Sequence, residues 1–176
     1  SPNNTYEVKQ QFNLTPSDNG VYNFGNLEED NYFISVQTIP LSVQSNNSLP
    51  TFFGDVTNWN EANKISLSSD LNNLNITLST FTPPTDDKWK YGADKIKGNV
   101  TFDENYLKSG SRDIVDNPLP VQNAVILLYD KLGSLLTFTS TDKFGEFNFK
   151  DLAAGVYEIK IQYLGTSVSI SQTIII

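Results

Sequence analysis

Any chemistry in this chain has to be done without histidine, cysteine or methionine, because none of the three occurs in its 176 residues. That removes Ser-His-Asp and Cys-His catalysis, His- and thiolate-held metals, and disulfide frameworks. Carboxylates, amides and aromatic rings remain. Two acidic clusters could hold calcium, a hard cation that takes several oxygen ligands from Asp- and Asn-rich loops. One is Asp103, Glu104 and Asn105 with Asp113, Asp116 and Asn117; the other is Asp55 with Asn58, Asn60 and Glu61. Neither has the spacing of an EF-hand loop, and the plainer reading is solvated turn formers. Trp59, Trp89 and Tyr91 are the candidates for stacking on sugar rings, with Tyr106 behind them. Trp89 and Tyr91 stand two apart in a polar stretch, Asp86-Asp87-Lys88-Trp89-Lys90-Tyr91. Their plainer reading is packing, with Trp59 filling its own loop and the other two cementing neighbouring domains. A glycosidase needs two carboxylates facing each other over a cleft. The acids here fall in loops, in a linker or at polar strand positions, so no catalytic residue is expected and the chain reads as a non-enzyme.

The charge balance is 12 Lys+Arg against 20 Asp+Glu, a formal −8. Phosphate backbones need clustered cations, so nucleic acid is not an expected partner. No apolar run approaches the roughly 18 residues of a membrane helix, and no signal-peptide pattern is present. Membrane insertion is therefore not expected. Leu, Ile, Val and Phe supply 52 of the 176 residues, enough for a packed core. Asparagine, a turn and cap residue, occurs 20 times. Many polar turns between short β-branched and aromatic runs predict an all-β protein. A cysteine-free, acidic, Asn/Ser/Thr-rich β-protein fits an extracellular bacterial protein, secreted or on the cell surface.

What must position these residues is an internal repeat. Asp18-Asn19-Gly20-Val21-Tyr22-Asn23-Phe24 continues through Leu27 to Tyr32-Phe33-Ile34-Ser35-Val36-Gln37. The same spacing returns 125 residues later, in Asp142-Lys143-Phe144-Gly145-Glu146-Phe147-Asn148-Phe149 through Leu152 to Tyr157-Glu158-Ile159-Lys160-Ile161-Gln162. Gly20/Gly145, Asn23/Asn148, Phe24/Phe149, Leu27/Leu152, Tyr32/Tyr157 and Gln37/Gln162 are identical. Each copy reads as strand, turn, strand, with apolar residues at period two. Tyr22, Phe24, Leu27, Tyr32, Phe147, Phe149, Leu152 and Tyr157 are the expected core. A repeat this far apart implies two domains of one kind, residues 1–80 and 96–176, joined by a linker over 81–95.

The second copy has strand patterns on both sides, at 96–102, 124–129, 135–140 and 168–174, around a polar insertion at 103–120. The first looks degenerate, with strands expected near 64–67 and 74–78. Its loop carries Trp59 in a helical turn begun by Asn58.

Ile96-x-Gly98-x-Val100, Pro120-x-x-Asn123-Ala124-x-Ile126-x-Leu128, Thr141-Asp142-x-x-Gly145-x-Phe147-x-Phe149 and Leu152-x-x-Gly155-x-Tyr157 carry a family resemblance. Over these residues the second domain resembles transthyretin-like (prealbumin-like) sandwiches of the carboxypeptidase-regulatory-like and Cna-B-like kind. The first domain resembles a truncated relative. Similar modules occur in surface and secreted proteins of Bacteroidetes-type bacteria. The resemblance implies two tandem Greek-key sandwiches, immunoglobulin-like in outline, with an accessory, non-catalytic role. It implies structural, spacer or adhesion work beside neighbouring domains of a larger polypeptide or another surface protein. A carbohydrate-binding module, with polysaccharide as partner, is the alternative. No cofactor is implied, calcium being the one candidate ion. Cna-B-like modules can carry a Lys–Asn isopeptide bond, but the 151–157 turn lacks the expected Glu and the last strand lacks the Asn.

Overall fold

A computed structural model describes residues 6, 8–38, 48–86, 88–102, 119–164 and 170–176. Among them the chain is all-β: ten strands in antiparallel pairs, with 3-10 turns and no α-helix. The strands are β1 (Asp30–Tyr32), β2 (Ser35–Val36), β3 (Thr51–Phe52), β4 (Ile65–Leu67), β5 (Asp94–Asn99), β6 (Val125–Asp130), β7 (Leu135–Ser140), β8 (Glu146–Leu152), β9 (Val156–Gln162) and β10 (Ile170–Ile175).

The second half holds the longer strands. A four-stranded sheet runs β10-β9-β6-β7, and β5 pairs with β8 in a second sheet. One core takes side chains from both. Ile96 and Phe149 come from the pair; Ile126, Leu128, Leu136, Tyr157 and Ile159 come from the four-stranded sheet. Alternation explains β8 and β9: Phe149, Tyr157 and Ile159 turn inward at period two and are buried, while Phe147 is half-buried. Leu152 closes the core at 1 % exposure.

Side-chain acceptors set the turns. Asp142 Oδ1 accepts from the backbone N–H groups of Phe144 at 2.8 Å and Glu146 at 2.9 Å. Asp130 Oδ1 does the same for Leu132 and Ser134. Both are Asx-type turns, which is why these residues precede the reversals. Gly145 is held at φ 76°, and a Cβ there would lie 2.4 Å from the Val100 carbonyl oxygen. Buried Thr141 is satisfied by donating to Val121 O and accepting from Ala124 N.

The repeat is visible in the backbone. Gly20 and Gly145 have φ of 75° and 76°, and Asn26 and Asp151 have 56° and 59°. Tyr32 donates its hydroxyl hydrogen to Glu28 O at 2.8 Å, and Tyr157 to Ala153 O at 2.7 Å. Ile34 and Ile159 are both buried. The copies differ in what pairs with them. Residues 146–152 form β8 against β5, but 21–25 join no ladder. Accordingly Tyr22, Phe24, Leu27 and Tyr32 are half-buried, whereas Phe149, Leu152 and Tyr157 are buried.

The β9 counterpart is split into β1 and β2, each with a short partner: Tyr32 opposite Ile65 and Val36 opposite Thr51. The loop carrying Trp59 lies between these partners. The strand expected at 74–78 does not form; residues 71–79 run without a ladder, using side-chain contacts such as Thr77 N to Asp55 Oδ1. Asn58 precedes a 3-10 turn, Trp59–Glu61, with no side-chain cap bond.

Residues 88–92 of the expected linker dock on the second half. Ala153 N donates to Trp89 O at 2.9 Å, and Gly92 N to Asp151 O at 3.1 Å. The last residue, Ile176, exchanges two backbone hydrogen bonds with Gly155 of the same turn region.

Burial and the Asp94 carboxylate push the Tyr157 phenol above its usual pKa. Above pH 10 the unfolded chain ionises this phenol while the folded chain resists, so stability falls as pH rises from about 10. Tyr157→Phe also removes the bond to Ala153 O. It is expected to cost about 1 kcal/mol at neutral pH and to lessen the alkaline loss, read by urea melts at pH 7 and above 10.

Candidate interaction surface

The three aromatic candidates are placed apart in kind. Trp59 is half-buried among Tyr6 and Phe33, with ring centroids at 5.7 and 6.3 Å. Trp89 is half-buried against the second core, its indole N–H enclosed and meeting no acceptor among the described residues. Lys90 Nζ lies 5.5 Å from the Trp89 ring centroid. Tyr91 is 76 % exposed. They do not form one platform of exposed rings.

Asp103, Glu104, Asp113 and Asp116 lie outside the described residues. In the other acidic cluster, Asp55 Oδ1 accepts from Thr77 N at 2.6 Å, which commits one carboxylate oxygen to the fold. Among the described residues, no group of three or more acidic side chains is gathered for a metal ion. Ser140 and Lys143 have Ser-x-x-Lys spacing, but they stand on a strand end and a turn, and Lys143 Nζ sits 4.9 Å from the Phe144 ring centroid. No described helix is long and apolar enough to cross a membrane.

The contact that brings the two halves together is on the outer face of the four-stranded sheet. In β6, Ile126 and Leu128 face the core at 0 % exposure. Leu127 points the other way and is still only 5 % exposed. Around it lie Val125, Tyr129, Leu135 and Gln162, met by Leu49, Pro50 and Thr57 of the first half across a cavity of about 70 Å³. Beside them Phe81 meets Phe138 edge to face at 6.2 Å, and Phe138 is the β7 residue paired with Leu127. A strand covered on both faces should read as an unbroken apolar run, and Val125-Ile126-Leu127-Leu128 is one. That run was the sequence signal for this contact; its partners Leu49, Pro50 and Phe81 had none.

One rim of the face is polar. Lys160 Nζ sits 4.4 Å from the Tyr129 ring centroid and 3.9 Å from Glu158. Burial first, and then Glu158, push the Tyr129 phenol above its usual pKa. A second cleft, about 220 Å³, opens between β5 and β10 and is lined by Ile96, Gly98, Phe147, Ile159, Ile161 and Ile174, among others.

No protein-family model matches the chain, and no curated protein matches it.

Proposed function

We propose that the chain is a structural module: two tandem transthyretin-like sandwiches of Greek-key type, the first incomplete. It spaces, presents or docks a neighbouring part of a larger bacterial surface or secreted protein and does no catalysis. The supporting observation is the apolar contact around Leu127, where Leu49, Pro50 and Phe81 cover the outer face of the sheet. A contact of that kind fixes the angle between the halves, which a polar, flexible linker would leave free. The two clefts described above, about 220 and 70 Å³, are small beside ordinary ligand pockets, roughly 300–1,000 Å³.

Leu127→Asp puts an unpaired charge into the contact. It is expected to split one thermal unfolding transition into two, followed by calorimetry. A variant that keeps the wild-type single transition would remove rigid coupling from the reading. The rival is carbohydrate binding through Tyr91. Affinity electrophoresis over a polysaccharide panel is expected to show no retardation. Retardation lost on Tyr91→Ala would replace the spacer reading with the rival.

A further inference from the structure

Asn19-Gly20 is the one Asn-Gly pair in the chain; every other asparagine precedes a residue that carries a side chain. The difference is chemical. An asparagine carboxamide carbon stands one five-membered ring away from the amide nitrogen of the next residue. Ring closure needs that nitrogen to approach the carbon closely, which a side chain on the next residue obstructs and glycine permits.

The structure places this pair at the centre of a β-turn. Val21 N donates to Asp18 O at 2.8 Å, and the two residues between have φ of 49° and 75°. Positive φ at both marks a type I′ turn, where Asn-Gly is favoured. Asn19 and Gly20 are exposed, and the Gly20 N–H meets no acceptor among the described residues. The Asp18 carboxylate is turned back on Thr15, accepting from its backbone N–H and its hydroxyl at 2.7 Å each. Exposure belongs to this position in both copies of the repeat. Phe144, the counterpart of Asn19, is 58 % exposed although β7 and β8 flank its turn.

We propose that Asn19 is a site of spontaneous deamidation, with water as the sole co-reactant. The Gly20 nitrogen gives up its proton to solvent and attacks Asn19 Cγ. A succinimide closes as the N–Cγ bond forms, the Cγ–Nδ2 bond breaks and the amide group takes up a proton and leaves as ammonia. Water then opens the ring at either carbonyl, so that position 19 becomes aspartate or isoaspartate. Both products add a carboxylate beside Asp18. The isoaspartate also routes the main chain through Cγ and lengthens it by one carbon, which breaks the fit of a type I′ turn closed from Asp18 to Val21. The second copy is exempt, because Phe144 carries no carboxamide.

The test incubates the full chain in mildly alkaline buffer, folded and in urea, and follows intact mass and tandem mass spectra of its peptides. The mass is expected to rise by the difference between water and ammonia. Asn19 is expected to convert before any other asparagine, with isoaspartate accumulating beside aspartate. Its rate in the folded chain is expected to lie within about tenfold of the unfolded rate, because an exposed turn opens at little free energy. Asn19→Gln, whose ring would need one more atom, is expected to lose the early conversion. A folded rate further below the unfolded one, earlier conversion at another asparagine, aspartate without isoaspartate, or an undiminished mass gain in Asn19→Gln each overturns the proposal.

Discussion

Phe149→Ala is expected to destabilise the second half by about 3–5 kcal/mol, as large-to-small changes at buried aromatics do. Phe149 is 5 % exposed and lies in one cluster with Ile96, Ile126, Leu128 and Leu152. Its alternation partner Phe147 is half-buried at the cleft between β5 and β10, where surrounding space can relax. Phe147→Ala should therefore cost clearly less. Urea denaturation of both variants gives the comparison. A neutral Phe149→Ala, or a larger loss for Phe147→Ala, would mean that β8 presents the opposite face.

Gly92→Ala is expected to cost about 3 kcal/mol, at the upper end of ordinary overpacking. A Cβ at this position would lie 1.7 Å from the Leu152 carbonyl oxygen and 2.3 Å from Ala153 N. Both obstacles are backbone, so no rotamer change relieves the clash. The hydrogen bonds from Gly92 N to Asp151 O and from Ala153 N to Trp89 O hold the chain at that closeness. Either the 88–92 segment lifts off, exposing Trp89, or the 151–153 turn moves and disturbs Leu152. Trp89 fluorescence in a Trp59→Phe background separates the two, because lift-off shifts the emission red before the core melts. Wild-type stability with an unshifted spectrum would show that this close docking does not exist in solution.

The second half was the more legible in sequence, for a physical reason. Its strands alternate over six or seven residues, long enough for period two to stand out, and Asp130 and Asp142 mark its turns with side-chain chemistry. The unbroken 125–128 run also marked a buried strand. The first half was legible as a repeat and misleading as strands. Tyr22, Asn23 and Phe24 alternate as their counterparts do, yet a ladder requires a second strand, and propensity does not supply one. The same holds at 74–78.

Among the site residues, Trp89 shows where side-chain reasoning stops. Flanked by Lys88 and Lys90, it reads as a sugar-stacking ring or, more plainly, as cement between neighbouring domains, and neither reading names the core it covers. What draws it onto the core is the backbone of 88–92, through bonds that leave no mark on residue type. The placing of Leu49 and Pro50 over Leu127 was hidden similarly, because apolar residues in a loop do not name the face they will cover.

Gly92 and Ile176 meet one turn of the second half. Gly92 is bonded to Asp151, and Ile176 to Gly155, only four residues further along that turn. A stretch such as 92–176, whose two ends sit side by side, can be spliced into a host loop, or cut out of it, without stretching the host. It can be copied along a chain as a closed block in the same way. A gene that duplicates such a block changes the number of units and leaves the internal pairing of each untouched. The 125-residue echo within this chain has the form that such copying leaves behind.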